Sequence, residues 1–207
     1  MFTGIVERLA HVKSVRRSND RNSLIQVDLG DEFSSTVKVG DSIAVNGTCL
    51  TVTAKRGGVV SCDVIEETLH RTNLGELSRG SKVNIERSLL LSDRVSGHLV
   101  TGHIDGTGEI AKVERQKDSS MKVWIDACRE LPSLMVQKGS VAVDGVSLTL
   151  VDVTNHSFSF CLIPHTLANT TLGHKKPGDT VNIEADTIGK FVKKFLEEMS
   201  IKGDLKP

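Results

Sequence analysis

The side chains best suited to move protons or to add to electrophilic carbon stand at positions where two related parts of the chain differ. At equivalent places the first part has a thiol, an apolar residue or a carboxylate, and the second has a hydroxyl or an imidazole: Cys49 and Ser147, Ile5 and His103, Glu67 and His165. Thiols, hydroxyls and imidazoles are the groups that attack carbon or transfer protons in enzymes. These positions are therefore candidates for chemistry, with a different role in each part.

Each of these residues also has an ordinary structural interpretation. A cysteine in an apolar run, as at Cys49, more often fills a core than reacts. Thr51 and Thr149 suit strands because their side chains are β-branched. Lys138 stands in a turn, where a lysine is usually just a solvated charge. From the residues alone, the sequence indicates a protein with two related small-molecule sites and little more.

The two related parts are tandem copies separated by a fixed offset. Subtracting positions gives 98 for Gly102 and Gly4, and 98 again for Glu184 and Glu86. The same offset gives further identities: Thr3 and Thr101, Gly47 and Gly145, Leu50 and Leu148, Thr68 and Thr166, Leu74 and Leu172. One single-residue slip is expected, because Gly40 aligns with Gly139. We therefore divide the chain into copies at 1–97 and 98–186, followed by a segment at 187–207 with no counterpart.

Each copy is predicted to be all-β. Short β-branched runs at 42–45, 50–53 and 59–64 are separated by the turn dipeptides Asn46-Gly47 and Gly57-Gly58. About six strands in a copy this short favour a small closed barrel, since closure removes exposed sheet edges. An open sandwich stays an alternative, because periodicity does not distinguish the two.

The segment after Asp186 changes to helical spacing. Its apolar residues fall at 188, 191, 192, 195, 196 and 199, which lie on one face of an α-helix. Asp186 or Thr187 can cap the start of this helix. The apolar stripe has to be buried, either against a barrel or between subunits.

The composition argues against several functional classes. Lys plus Arg and Asp plus Glu each number 26, so no net charge attracts nucleic acid or an anionic membrane. Aromatic residues make up 3% of the chain, too few for a surface that stacks bases. No apolar run of about 18 residues occurs, and the first residues lack the pattern of a signal peptide. The sequence predicts a soluble cytoplasmic protein that binds neither nucleic acid nor membrane.

The cysteines and histidines do not form the patterns of a metal site. The cysteines are widely spaced and make no Cys-x-x-Cys pair: Cys49, Cys62, Cys128 and Cys161. His98 and His103 are five residues apart with no third ligand in view. We expect reduced thiols and no bound metal.

Several motifs resemble those of the riboflavin synthase family. The first copy has MFTGIVE at 1–7 and GDSIAVNGTCLTV at 40–52, and GHLVTGHIDG at 97–106 spans the start of the second copy. The second copy adds KGSVAVDGVSLT at 138–149, LIPHTL at 162–167 and VNIEAD at 181–186. The resemblance is specific and runs from residue 1 to about 196.

This resemblance implies a fold, a reaction and an assembly. The fold is two six-stranded Greek-key barrels with a C-terminal helix that joins three chains into a homotrimer. The reaction converts two molecules of 6,7-dimethyl-8-ribityllumazine into riboflavin and 5-amino-6-ribitylaminouracil, without a metal or organic cofactor. One active site then uses the first barrel of one chain and the second barrel of its neighbour. Lumazine synthase is a further partner to consider.

The resemblance also carries over a set of substrate-binding residues. The first pocket is expected to contain Gly4, Ile5, Val6, Cys49, Leu50, Thr51, Asp63, Val64, Ile65, Glu66, Glu67 and Thr68. The second is expected to contain Gly102, His103, Ile104, Lys138, Ser147, Leu148, Thr149, Leu162, Ile163, Pro164, His165, Thr166 and Leu167.

Our mechanistic hypothesis divides the chemistry between the copies. His103, helped by Thr149 or Ser147, moves the proton of the methyl group on C7 of one lumazine. Cys49 or water adds to C7 of the other molecule. Asp186 and Lys138 orient or polarise the substrates. Two rival functions stay open: a non-catalytic lumazine- or flavin-binding protein of the same fold, and a structural or protein-binding barrel.

Overall fold

The first copy folds into a closed barrel of six antiparallel strands. The computed structural model describes residues 1–17 and 22–201. The strands are β1 (Arg8–Arg17), β2 (Ser23–Asp28), β3 (Ser42–Val45), β4 (Thr48–Arg56), β5 (Val59–Val64) and β6 (Lys82–Arg87). Their order is β1-β2-β5-β4-β3-β6, and β6 pairs with β1 to close the barrel. Helices α1 (Asp31–Ser35) and α2 (Glu66–Arg71) and a 3-10 turn at Asn73–Glu76 lie between strands.

The second copy repeats this barrel strand for strand. Its strands are β7 (Gly106–Arg115), β8 (Met121–Ala127), β9 (Ser140–Val143), β10 (Val146–Val153), β11 (Ser157–Leu162) and β12 (Thr180–Ala185). They close in the order β7-β8-β11-β10-β9-β12. Helix α3 (Pro164–Asn169) takes the place of α2, and 3-10 turns lie at Pro132–Leu134 and Thr171–His174. Helix α4 (Thr187–Ile201) follows the barrel.

Both barrels contain a Greek key. Strands β3, β4 and β5 follow one another through short turns, and β6 returns by a longer connection to pair with β3. Strands β9 to β12 repeat the arrangement. The closed strand order confirms the predicted six-stranded barrels and excludes the open sandwich.

Apolar side chains fill the interior of each barrel. In β2, Ile25 and Val27 are buried while Gln26 between them is partly exposed, and Val123 and Ile125 repeat this alternation in β8. Alternate residues of a strand point to opposite faces, so each strand contributes one side to a packed core. Reactive groups must therefore lie on the outer surface, at the barrel ends or between the barrels.

The predicted one-residue slip is wrong. The backbone N–H of Gly40 donates to the carbonyl of Val52, and that of Lys138 donates to the carbonyl of Leu150, both at 2.9 Å. Both pairs keep the offset of 98. Gly40 has φ +93° and Lys138 has φ +67°, so the second copy keeps the left-handed conformation although a lysine occupies the position. Gly40 is therefore equivalent to Lys138, and the alignment of Gly40 with Gly139 is displaced by one residue.

The barrels meet through buried polar contacts between equivalent turns. Asn84 Nδ2 donates to the carbonyl of Asp144, and Asn182 Nδ2 donates to the carbonyl of Asn46, both at 2.8 Å. The two bonds are related by the 98-residue offset, so the barrels pack about a pseudo-twofold axis.

Asp144 breaks this symmetry, because the first copy has Asn46 at the equivalent position. The Asp144 side chain is fully buried, and Lys175 Nζ lies 3.5 Å from its Oδ2 atom. Burial raises the pKa of Asp144, and the ammonium group of Lys175 opposes that shift.

The C-terminal helix is capped as expected, but its apolar stripe is not buried within the chain. Oδ1 of Asp186 accepts a hydrogen bond from the backbone N–H of Ile188 at 3.0 Å, which makes Asp186 the cap. Ile188, Phe191 and Phe195 are 71%, 59% and 63% exposed. Residues 202–207 of the predicted tail lie outside the described residues. Across the described part of the chain, no helix has the length and apolar character needed to span a membrane.

Candidate active site

A buried carboxylate fixes the segment that precedes the first barrel. Oε1 of Glu86 accepts hydrogen bonds from the backbone N–H and the hydroxyl of Thr3, at 2.6 and 2.8 Å. Its Oε2 accepts from the backbone N–H of Gly4 at 3.0 Å. Burial raises the pKa of Glu86, and the donors of Thr3 and Gly4 lower it. A side chain that holds three backbone and hydroxyl donors fixes the path of this segment.

The second copy repeats the same arrangement at Glu184. Its Oε1 accepts from the backbone N–H and the hydroxyl of Thr101, each at 2.7 Å, and its Oε2 accepts from the N–H of Gly102 at 2.9 Å. The next residue, His103, is exposed, and its backbone N–H donates to Oγ1 of Thr101 at 3.3 Å. The imidazole of His103 is thus carried on a fixed backbone.

Each of these fixed segments also contacts the opposite barrel. The backbone N–H of Ser147 in β10 donates to the carbonyl of Gly4 at 2.7 Å. The backbone N–H of Cys49 in β4 donates to the carbonyl of Gly102 at 2.9 Å. Gly4 belongs to the first copy and Ser147 to the second. In the other pair, Gly102 belongs to the second copy and Cys49 to the first. The two segments therefore cross between the barrels.

Only glycine fits at the two crossing points. A Cβ atom at Gly4 would lie 2.7 Å from Cβ of Ser147, and one at Gly102 would lie 2.6 Å from Cβ of Cys49. Their φ angles are +75° and +83°, a conformation that glycine adopts without steric cost. The close approach of the backbone to the two candidate reactive residues thus requires these two glycines.

The crossing brings the candidate segments together in a different combination from the predicted grouping into two pockets. The sequence groups Gly4, Ile5 and Val6 with Cys49, but the carbonyl of Gly4 is bound by Ser147 and Val6 packs against the core of the second barrel. In the same way the carbonyl of Gly102, the residue before His103, is bound by Cys49 rather than by Ser147. The offset identifies equivalent residues, but it does not say which barrel a segment touches.

His98 is a candidate functional residue that the sequence did not single out for acid–base chemistry. Its Nδ1 atom lies 2.7 Å from Oγ of Ser147, within hydrogen-bond distance. Burial lowers the pKa of His98, while the nearby carboxylates of Asp186 and Glu184 raise it. A neutral imidazole next to a hydroxyl can accept its proton, so the second barrel carries a serine–histidine pair.

Strand alternation places the candidate polar residues of β4 and β10 on the outer face of each barrel. Cys49 is half-buried and Thr51 is exposed, whereas Leu50 between them is buried. The second barrel repeats the pattern, with Ser147 half-buried, Thr149 exposed and Leu148 buried. The two leucines therefore belong to the packed cores, and the polar residues are available to a ligand.

The candidate segments next to α2 and α3 also contain both buried core residues and residues exposed to solvent. Val64 and Leu162 are buried core residues at the ends of β5 and β11. Ile65 and Ile163 follow them and are 59% and 57% exposed. The other candidates in these segments are exposed or half-buried: Asp63, Glu66, Glu67, Thr68, Pro164, His165, Thr166 and Leu167.

Lys138 and Asp186 lie in the second copy but on different elements. Lys138 is exposed in the turn before β9, and a lysine with φ +67° is uncommon because its Cβ is crowded in that conformation. Asp186 is half-buried at the end of β12, close enough to His98 to affect its pKa. In residues 1–17 and 22–201, no group of three or more His, Cys, Asp or Glu side chains is arranged to hold a metal ion.

Comparison with known proteins agrees with this duplicated site. Residues 3–88 and 101–186 each match the lumazine binding domain. The riboflavin synthase of Actinobacillus pleuropneumoniae is 42% identical over 198 residues, which cover 95% of this chain and 90% of that protein. The chain belongs to the riboflavin synthase family. Another riboflavin synthase, from Escherichia coli (strain K12), is 43% identical over 188 residues, covering 90% of this chain and 87% of the relative.

Solved structures similar to this riboflavin synthase family member contain bound ligands. LumP complexed with riboflavin has a TM-score of 0.83 and 25% identity, covering 90% of this chain and all of LumP. LumP complexed with 6,7-dimethyl-8-(1'-D-ribityl) lumazine has a TM-score of 0.80 and 26% identity, with the same coverage. The double-barrel architecture is therefore shared between family members and a ligand-binding relative.

Proposed function

We propose that this protein is a riboflavin synthase, a transferase that moves a four-carbon unit between two molecules of 6,7-dimethyl-8-ribityllumazine. The products are riboflavin and 5-amino-6-ribitylaminouracil. The observation that carries this proposal is the pair of lumazine binding domains in one chain, each with its own polar set. The first barrel has Cys49 beside the segment of His103, and the second has Ser147 beside His98.

The substrate supplies most of the reactivity in this proposal. The methyl group on C7 is acidic because its carbanion delocalises into the electron-poor ring. The two products together contain the atoms of two substrate molecules, so the overall reaction is a dismutation that needs no external group donor. The protein has to hold two rings in near-attack geometry, which is worth up to about 7–11 kcal/mol in the best intramolecular reactions. Proton transfer by side chains adds roughly 10²–10⁴-fold.

The crossing segments suggest how the roles are divided. His103 stands on the Cys49 side and is exposed to a ligand there, which supports proton transfer at the C7 methyl of a lumazine on the first barrel. Cys49, or water, adds to C7 of its partner molecule. On the second barrel, His98 accepts the hydrogen bond of Ser147 and keeps that hydroxyl oriented, while Thr149, Lys138 and Asp186 bind or polarise the substrate. We also propose that the other residues of the two predicted pockets bind the substrates.

The exposed stripe of α4 supports the proposed homotrimer. Val192 and Leu196 are 51% and 49% exposed, and they border a groove of about 850 Å³ between α4 and the 3-10 turn before β9. An apolar groove of this kind is normally covered in a soluble protein. We propose that α4, within the segment 187–207, covers it in a neighbouring chain and that each active site joins the first barrel of one chain to the second barrel of the next.

We also propose that the enzyme works in the cytoplasm, which fits its four unpaired cysteines. Association with lumazine synthase would deliver the substrate directly; co-purification of the two proteins tests that part separately.

The function is tested with the purified chain and 6,7-dimethyl-8-ribityllumazine, without added cofactor and without oxygen. We expect riboflavin and 5-amino-6-ribitylaminouracil to form in equal amounts, one of each for two lumazines consumed. Binding of lumazine without turnover would instead favour the non-catalytic lumazine- or flavin-binding alternative. Absence of binding would favour a structural barrel.

A further inference from the structure

Asp105, two residues after His103, fixes the chain at the entrance to the second barrel. Its backbone N–H donates to the carbonyl of Ile183 at 3.0 Å, and its Oδ2 atom accepts from the backbone N–H of Ala185 at 2.9 Å. Both partners belong to β12. A residue held through its backbone and its side chain also restricts the residues just before it, and His103 is one of them.

The same carboxylate oxygen contacts a lysine of the C-terminal helix. Nζ of Lys190 in α4 lies 2.6 Å from Oδ2 of Asp105. The side chains of Lys190 and Asp105 are 29% and 21% exposed, so salt and water screen this ion pair less than a pair on the open surface. A partly buried ion pair therefore joins α4 to the segment that carries His103.

The first copy places a cation at the equivalent carboxylate in a different way. Under the 98-residue offset, Glu7 is equivalent to Asp105. Oε2 of Glu7 accepts from the backbone N–H of Arg87 at 2.8 Å and from Nε of the same residue at 3.0 Å. In the second copy Ala185 replaces Arg87 and retains only the backbone donor.

The cation of the second copy comes from a segment that has no equivalent in the first. Subtracting 98 from Lys190 gives Ser92, which lies in a turn between the barrels. The cation beside Glu7 belongs to the barrel itself, whereas the cation beside Asp105 belongs to α4. The fixation of Asp105 therefore depends on the position of this helix.

Helix α4 is attached to the second barrel at a small number of polar contacts. Besides the ion pair of Lys190, Nζ of Lys193 donates to Oγ of Ser133 at 2.9 Å. We propose that Lys190 is a positioning residue: through Asp105 it fixes the segment of His103, so that the imidazole is correctly placed only while α4 is docked. This role rests on the proposed function, in which His103 transfers a proton of the substrate.

The experiment compares kcat and KM for lumazine among three variants of the full chain, each checked for its assembly by sedimentation. Lys190→Gln removes the cation and should lower kcat about tenfold, because a small misplacement of a reacting group can cost up to about 10²-fold, while KM stays within about threefold. Lys190→Arg keeps a cation and should restore kcat to within about threefold of the wild type. Lys194→Gln is the matched control, because Lys194 lies one turn further along α4 and faces Glu198 at 4.0 Å instead.

A second measurement does not require turnover. The NMR resonance of Cε1 of His103, assigned with His103→Gln, reports the surroundings of the imidazole. It should shift in Lys190→Gln and in Asp105→Asn, and stay at its wild-type position in Lys194→Gln. Asp105→Asn keeps an acceptor for the N–H of Ala185 and leaves α4 unchanged, so it carries the test if Lys190→Gln alters the assembly.

A lower kcat and a shifted His103 resonance in Lys190→Gln, both restored in Lys190→Arg, would support the positioning role. Wild-type kcat in Lys190→Gln, or an unshifted resonance in Asp105→Asn, would overturn it. If the wild-type protein makes no riboflavin, the proposed function fails, whereas the resonance still decides whether Lys190 fixes the segment of His103.

Discussion

The backbone N–H of Cys49 donates a hydrogen bond to the carbonyl of Gly102 at 2.9 Å, although the two residues belong to different copies. The equivalent bond joins Ser147 to Gly4 at 2.7 Å. Each candidate reactive side chain therefore lies against a backbone segment of the other copy, and that segment is held by a buried glutamate of its own copy. The contacts that join the two barrels are therefore also contacts that position the candidate reactive residues.

Gly102→Ala should distinguish the steric effect of the contact with Cys49 from the strain that alanine meets at any positive φ. The new Cβ would lie 2.6 Å from Cβ of Cys49 at φ +83°, so we expect destabilisation of about 3 kcal/mol or more and loss of turnover as His103 moves. Gly178→Ala is the matched control, because Gly178 has φ +93° and no atom within 4 Å of its Cβ position. It should cost only about 1–2 kcal/mol. Urea denaturation of both variants checks this; equal losses would mean that the contact with Cys49 is unimportant.

Cys49→Ala tests the role of the thiol. If Cys49 adds to C7 of lumazine, kcat should fall about 10²-fold or more, while lumazine affinity stays within about threefold. Cys49→Ser should retain more activity, because the second copy uses Ser147 at the equivalent position. Cys161→Ala, at an exposed residue of β11, serves as the control. Unchanged turnover in Cys49→Ala would assign the addition to water.

The contact of 2.7 Å between His98 and Ser147 predicts coupled effects on turnover. The double variant His98→Gln with Ser147→Ala should lose little more activity than Ser147→Ala alone, because both changes remove one hydrogen bond. Additive losses would show that the two side chains act independently. His11→Gln, at an exposed histidine of β1, controls for loss of a histidine elsewhere.

The depressed pKa of His98 adds a pH signature. Burial favours the neutral imidazole in the folded state, so its contribution to stability is complete above the ordinary value of 6.5. The contribution is lost as the pH falls below 6.5, because the unfolded chain binds the proton first. The acid limb of kcat/KM should therefore lie below pH 6.5 in the wild type and disappear in His98→Gln, as pH profiles of both proteins will determine.

Local sequence patterns predicted most of the fold. The offset of 98 predicted two equivalent barrels, and the spacing of 188, 191, 192, 195, 196 and 199 predicted α4. Both signals are local or repetitive, so they can be detected in the sequence without knowing how the elements pack. The contacts of Gly4 with Ser147 and of Gly102 with Cys49 join distant parts of the chain, and residue spacing does not predict them.

His98 shows a second limit of the comparison between copies. Subtracting 98 from its number gives position zero, so His98 has no counterpart in the first copy and the search for divergent pairs passes over it. Lys138 shows a third, because glycine-to-glycine matching hid the equivalence of Gly40 and Lys138. In both cases the hydrogen bonds of the folded chain, rather than residue identity, establish the position.

Lys138→Gly should raise stability and lower activity. Lys138 has φ +67°, where the first copy has Gly40, so glycine should relieve about 1 kcal/mol of backbone strain. If the lysine binds substrate, KM for lumazine should rise at the same time. Arg16→Gly, at an exposed and regularly paired strand residue, is the control and should lower stability instead. A stabilised variant with wild-type KM would remove Lys138 from the binding site.

Mixing two inactive variants tests most directly whether each active site is shared between two chains. Cys49→Ala impairs the first barrel and Ser147→Ala impairs the second, so each homotrimer alone should turn over lumazine at about a hundredth of the wild-type rate or less. If each active site joins the first barrel of one chain to the second barrel of its neighbour, an equal mixture of subunits unfolded and refolded together contains intact sites. Random assembly predicts recovery of about a quarter of wild-type activity. A mixture that stays as inactive as its parents would contradict a site shared between chains.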